Sequence, residues 1–166
     1  ELARDVAARF NGIHGDVFVV PEPLIAKEGA RVKDLQSPEK KMSKTAESDL
    51  AKVMLLDDPK RIIKKFKKAV TDSEGIIRFD EEKQPGVANL LTIWGAATGN
   101  SIEAALAHFS HNMYGKLKVE TAEAVVEMLR PVQERYAELR GDQGALERIL
   151  ARGAEQAAER AEVQMK

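Results

Sequence analysis

Two lysines three residues apart, with hydroxyls between and beside them, are the residues of this chain best suited to chemistry: Lys41-Met42-Ser43-Lys44-Thr45. Ammonium groups on flexible stems act as point charges that can be brought onto a polyphosphate from outside. The hydroxyls of Ser43 and Thr45 can add hydrogen bonds to phosphate oxygens. A lysine-rich loop is more often a solvated face, and it is the spacing and the hydroxyls, more than the charge, that set this one apart.

A second basic cluster follows. Six of the nine residues from Lys60 to Lys68 are cationic: Lys60, Arg61, Lys64, Lys65, Lys67 and Lys68. On a helix they could contact nucleic-acid phosphates, or simply form a solvated face, and the sequence leaves both readings open. Other patterns are weaker. His108 and His111 lack a clear carboxylate partner, and the chain has no cysteine, so they read as surface or core histidines and not as a metal pair. The missing cysteine also excludes disulfides, thiolate zinc sites and cysteine nucleophiles. Gly95–Gly99 lacks the Lys-Ser/Thr ending of a phosphate loop and reads as a helix end. Gly12-Ile13-His14-Gly15 reads as a turn. Trp94 and Tyr136 fall on apolar stripes and read as core.

The elements that must position these groups are mostly helical. Leu2, Val6 and Phe10 form an apolar stripe at i, i+4 and i+8. No capping residue precedes that helix, which suggests a chain cut out of something larger. Val17-Phe18-Val19-Val20, closed by Pro21 and Pro23, reads as one buried strand. From Glu22 to Thr45 no period is visible, and loops of this length are often functional. Asp58 followed by Pro59 starts a helix with Ile62, Ile63, Phe66, Ala69 and Val70 inward. A helix over 86–98 places Val87, Leu90, Leu91 and Trp94 inward and stops at Gly99. Ser101 caps a third, with Ile102, Leu106 and Phe109. The longest helix covers 118–139 on the stripe Ala122, Val125, Val126, Leu129, Val132, Tyr136, Leu139, with Pro131 predicting a kink and not a break. The last covers 143–162, with Leu146, Ile149, Leu150, Ala154, Ala157 and Ala161 on its stripe. The fold class is therefore mainly α: an α/β remnant, residues 1–47, followed by an α-helical bundle, residues 48–166.

Composition sets the outer bounds. The 166 residues suit one domain, or a small domain plus part of another. With 43% hydrophobic and 32% charged residues, the chain is not disordered as a whole. A net charge of -1 means that any nucleic-acid binding needs a local patch. No apolar stretch approaches the roughly 18 to 20 residues of a membrane-spanning helix.

The loop motif resembles the Lys-Met-Ser-Lys-Ser signature of class I aminoacyl-tRNA synthetases. Surrounding stretches narrow the resemblance to the tryptophanyl-tRNA synthetase family: Arg4-Asp5-Val6-Ala7, Phe18-Val19-Val20-Pro21-Glu22, Gly29-Ala30-Arg31-Val32, Pro38-Glu39-Lys40, Leu55-Leu56-Asp57-Asp58-Pro59, Ala69-Val70-Thr71-Asp72-Ser73, Gly86-Val87-Ala88-Asn89-Leu90-Leu91 and Leu129-Arg130-Pro131-Val132-Gln133-Glu134-Arg135-Tyr136. It covers essentially the whole chain but only the C-terminal half of the family's protein. It implies that residues 1–47 end a Rossmann-like catalytic domain and that residues 48–166 bind the tRNA anticodon. It implies activation of tryptophan by ATP with magnesium carried on the nucleotide, transfer to tRNA(Trp), a homodimer and a cytoplasmic location, with no membrane. Lys41 and Lys44 are then the catalytic cations. Val32, Lys41, Met42, Ser43, Lys44 and Thr45 meet ATP, Val32 and Met42 through their backbones, and the Lys60–Lys68 cluster is the tRNA candidate. Thr45 departs from the usual serine but keeps the hydroxyl. The family's His-x-Gly-His element is absent, so the chain alone is expected not to activate tryptophan. A stand-alone helical nucleic-acid-binding module with a vestigial loop, or a tyrosyl relative, remain the alternatives.

Overall fold

The computed structural model describes residues 1–24, 31–111 and 113–165, so Gly29 and Ala30 of the resemblance lie outside the described residues. Among the described residues six α-helices follow one another: α1 (Leu2–His14), α2 (Pro59–Lys67), α3 (Pro85–Thr98), α4 (Ile102–Phe109), α5 (Tyr114–Gly141) and α6 (Gln143–Met165). A short 3-10 helix, Asp49–Ala51, precedes α2. The start and stop signals act as expected. The Asp58 carboxylate accepts from Arg61 N at 3.0 Å with Pro59 in the first turn of α2. Ser101 Oγ accepts from Ala104 N at 3.3 Å at the start of α4. Gly99 ends α3 with φ +72°, a left-handed conformation that suits glycine. Gly15, with φ +80°, closes α1, so Gly12–Gly15 is a helix end and turn.

The core forms around the first half of α5, which packs against both α2 and α3, with α4 closing on α3. Ile62, Phe66, Val87, Leu90, Leu91, Phe109, Leu117 and Leu129 are buried there. Burial of each such side chain is worth about 1.5 to 3 kcal/mol, which makes this cluster the main source of stability. Helix α3 approaches its neighbours closely because Gly86 has no side chain. A Cβ there would stand 2.1 Å from the Val70 carbonyl oxygen.

Several expectations change, and Val70, expected inward on α2, lies beyond its end at Lys67 and is exposed. Val17–Val20 forms no strand: Val17, Phe18 and Val19 are exposed, and the segment bonds to α1 through Asn11. A lone strand needs a ladder partner, and among the described residues the only bridge pairs Lys33 with Lys41. Phe10 stacks edge-on to Phe18 at 4.9 Å, while Leu2, Val6 and Ile13 face outward. Helix α5 runs through Pro131 without a break but leaves the core after Leu129, so Val132 and Tyr136 are exposed. No residue of α6 with a described side chain is buried.

Charges sit inside this apolar frame and are paired. Lys65 is 1% exposed; its Nζ donates to Asp57 Oδ2 at 2.6 Å and Asp49 Oδ1 at 3.2 Å. Arg61 donates to the same Asp49, and Asp57 also accepts from Met54 N at 2.9 Å. Gln133 on α5 holds the adjoining turn through the carbonyls of Leu55 and Asp57 at 2.8 and 2.9 Å. Farther along, Tyr114 donates to Asp72 at 2.6 Å, and Gln84 donates to the Tyr114 oxygen and the Ile76 carbonyl. Burial works to raise the Asp72 carboxyl, but hydrogen bonds from Tyr114 and nearby backbone outweigh it and hold its pKa low.

Two outcomes follow from this packing. Lys65→Ala takes the closest cation from the buried Asp57 carboxylate, leaving Arg61 at 3.5 Å, and should cost about 3 kcal/mol in urea denaturation, with a smaller total when both partners become apolar. Asp72, with a folded pKa below its unfolded one, contributes stability present above the usual carboxylate range and lost as pH falls through the lowered value. Tyr114→Phe should therefore flatten the decline of the unfolding midpoint between roughly pH 5 and pH 2 relative to wild type.

Candidate functional site

The lysine-serine-lysine loop is built as a tight excursion pinned to the helical core. Lys33 and Lys41 face each other across an antiparallel bridge, with Met42 N donating to Val32 O at 3.0 Å and Asp34 N to Lys40 O at 2.9 Å. Asp34 turns the chain by accepting from Gln36 N and Ser37 N at 2.7 and 3.0 Å. Asn89 on α3 pairs with both backbone groups of Lys33, accepting from its N–H and donating to its carbonyl, each at 2.9 Å. Leu35 drops into the core, 2% exposed; its N–H reaches Ala51 O at 3.0 Å and its carbonyl accepts from Val70 N at 2.8 Å. Val32 and Met42 pack partly buried against the same core.

The motif's side chains then project from a fixed base. Lys41 and Lys44 are exposed and line an open cleft of about 560 Å³ together with Arg31, Val32, Met42, Lys52, Val53 and Met54. Four of those eight residues are cationic, while Val32, Met42, Val53 and Met54 supply an apolar wall. The arrangement suits a ligand with an anionic end and a flat apolar end. Ser43 and Thr45 hydroxyls lie 3.0 Å apart and Thr45 N donates to Ser43 Oγ at 3.3 Å, which braces the turn. Both residues also line a second cavity of about 430 Å³ on the other side of Lys41, beside Asp34 and Ser48. The structure thus brings Val32, Lys41, Met42 and Lys44 to one cleft and sets Ser43 and Thr45 toward the neighbouring one.

The second basic cluster divides. Lys60, Lys64, Lys67 and Lys68 are exposed. Lys65 is not: it lies in the core on Asp57 and Asp49, and Arg61 is engaged by Asp49. Lys65 is thus a buried structural cation and not a surface one, because the turn before α2 delivers two carboxylates to its side of the helix. The lysines at the end of α2 also face the negative end of the helix dipole, which favours cations there whatever they bind.

His108 bonds Glu120 at 2.6 Å and stacks on Trp94 with ring centroids 5.2 Å apart, so it tethers α4 to α5 and α3. The hydrogen bond from His108 holds the Glu120 carboxyl below its usual range. Among the described residues, no group of three or more His, Asp or Glu is placed to hold a metal ion. Two site-building residues escaped the reading of the sequence. Asn89 was detectable as a polar residue on an otherwise apolar helix face. Lys52, which donates to two loop carbonyls, carried no local signal.

Comparison with known proteins points to one family. A family model described as class I tRNA synthetases (W and Y) matches residues 1–130. The chain is 53% identical over 154 residues to a tryptophan–tRNA ligase of Wolinella succinogenes, covering 93% of this chain and 47% of that protein. It is 47% identical over 163 residues to a tryptophan–tRNA ligase of Leifsonia xyli, covering 98% and 48%. The crystal structure of tryptophanyl-tRNA synthetase from Mycoplasma pneumoniae superposes with a TM-score of 0.72 at 32% identity, over 82% of this chain and 42% of that one. The Campylobacter jejuni enzyme, complexed with ADP and tryptophan, gives 0.60 at 26% identity, over 93% and 47%. The chain spans about half the length of the curated relatives it matches. Matched by that family model over residues 1–130 and about half identical to both ligases, the chain belongs to the class I tRNA synthetases for tryptophan and tyrosine, on the tryptophanyl side.

Proposed function

We propose that this chain supplies the ATP-phosphate loop and the tRNA-binding helices of a tryptophan–tRNA ligase. The observation that carries the reading is the cleft in which Lys41 and Lys44 stand over the Val32–Met42 backbone. In the reaction, a tryptophan carboxylate oxygen attacks the α-phosphorus of ATP, the bond to the β-phosphate oxygen breaks, and pyrophosphate leaves. The terminal ribose hydroxyl of tRNA(Trp) then takes the tryptophanyl group from the adenylate. Negative charge grows on the departing pyrophosphate, and Lys41 and Lys44 are the cations that meet it, while the Ser43 and Thr45 hydroxyls brace the turn that carries them. The backbone at Val32 and Met42, held by the bridge and by Asn89, faces the adenosine end. Magnesium arrives with the nucleotide.

The division into residues 1–47, ending a Rossmann-like catalytic domain, and residues 48–166, an anticodon-binding domain, belongs to the same proposal. So do the homodimer, the cytoplasmic location and the inactivity of this chain alone. Supporting the last point, the outward apolar face of α1 and the Val17–Val19 segment have no covering element among the described residues. No helix among the described residues is long and apolar enough to cross a membrane.

Pyrophosphate exchange by a synthetase carrying this chain together with its upstream half should depend on tryptophan and not on tyrosine. Lys44→Ala should lower the turnover about a hundred- to a thousandfold, and Lys41→Ala should also lower it. Exchange driven by tyrosine, or by this chain alone, would contradict the reading. For tRNA, Lys64→Ala with Lys67→Ala should flatten the plot of log affinity against log salt by about one unit per lost phosphate contact. An unchanged slope would assign these lysines to a solvated face.

A further inference from the structure

We propose that Lys52 is the positioning residue of the signature loop, a latch that fixes the backbone from which Lys44 projects. The inference rests on the functional reading above and extends it to a residue outside the Lys41–Thr45 motif. The Lys52 Nζ donates to the Lys44 carbonyl at 2.9 Å and to the Ala46 carbonyl at 2.5 Å. These two carbonyls bracket the C-terminal side of the motif, and within the turn Ala46 N reaches back to Ser43 O at 3.1 Å. An ammonium offers three donors in flexible directions, so one side chain can close both carbonyls at once. Charge-assisted hydrogen bonds of this kind are stronger than neutral ones.

The latch is useful because its own base does not move freely. Lys52 follows the 3-10 helix Asp49–Ala51 directly. Ala51 is 3% exposed and its carbonyl accepts from Leu35 N at 3.0 Å. Asp49 at the start of that turn is held by Arg61 and by the buried Lys65. A continuous set of bonds therefore runs from the core of α2, through the 3-10 turn and the Lys52 side chain, to the peptide that carries Lys44. Lys41 is fixed separately, by its bridge to Lys33 and by Asn89. The two catalytic cations are thus anchored from opposite ends of the loop, and Lys52 secures the end that has no β-bridge. Lys52 also lines the same cleft as Lys41 and Lys44, so the competing role is a direct contact with phosphate.

Hydrogen exchange on this chain separates these roles without any reaction. Lys52→Met should speed exchange of the Thr45 and Ala46 amides by roughly five- to tenfold, with the α3 amides unchanged as the internal control, and Lys52→Arg should restore slow exchange. In the longer synthetase, Lys52→Met should lower the turnover of tryptophan-dependent exchange with little change in KM for ATP, again rescued by arginine. Unchanged loop exchange in Lys52→Met would overturn the latch. So would a raised KM for ATP with unchanged turnover, which would mark a phosphate contact. Faster loop exchange in a protein whose wild type forms no tryptophanyl adenylate would support the latch and overturn the functional reading it rests on.

Discussion

The Lys41–Thr45 loop is held by a helix side chain that takes the part a neighbouring strand plays in a sheet. Asn89 of α3 offers Lys33 one acceptor and one donor, the same pair a neighbouring peptide would offer in a sheet. With that pair in place, the Lys33–Lys41 bridge has a fixed partner on one side and the motif begins from a known position. Leu35 reinforces it by placing an apolar side chain in the core two residues later. Without Asn89, a half-buried N–H and carbonyl would lose their partners, and unpaired buried peptide groups are costly. The stems of Lys41 and Lys44 thus stand on a backbone tied at Lys33 to α3 and at Met42 to Val32.

A second constraint is electrostatic. The chain carries many cations in sequence near the loop, but the fold sorts them. Lys65 and Arg61 are spent on Asp49 and Asp57, and in return they fix the turn between the loop and α2. Lys52 is spent on loop carbonyls. Lys41 and Lys44 are left facing the cleft. Buried ion pairs of this kind contribute little net stability against an apolar core, but breaking one partner is costly, so they define geometry more than they add stability.

Much of the helical architecture was legible because its signals are local. Asp58-Pro59, Ser101 and Gly99 each act within one helical turn, and Val87, Leu90, Leu91, Phe109, Ala122, Val125 and Leu129 of the expected stripes are buried, with Trp94, Leu106 and Val126 half-buried against them. Signals that depend on distant partners were not legible. The apolar run at Val17–Val20 has strand composition, but strands need neighbours, and none comes from the described residues. The stripe of α5 continues past Leu129 into solvent because periodicity reports a face and not what covers it. Lys65 was indistinguishable from its exposed neighbours, since the carboxylates that pair it come from Asp57 and from Asp49 in the 3-10 helix, 8 and 16 residues earlier. The loop motif was readable from its spacing, whereas its supports, Asn89 and Lys52, act across the fold.

The central claim is that the signature loop belongs, through Asn89 and Leu35, to the cooperative helical core. Native-state hydrogen exchange tests it directly at the amides of Lys33, Leu35 and Met42, which donate to Asn89, Ala51 and Val32. These amides should open with the same free energy and the same denaturant dependence as those of Leu90 and Leu91 in α3. Exchange of the three on the timescale of an unprotected loop, while α3 stays protected, would contradict the account.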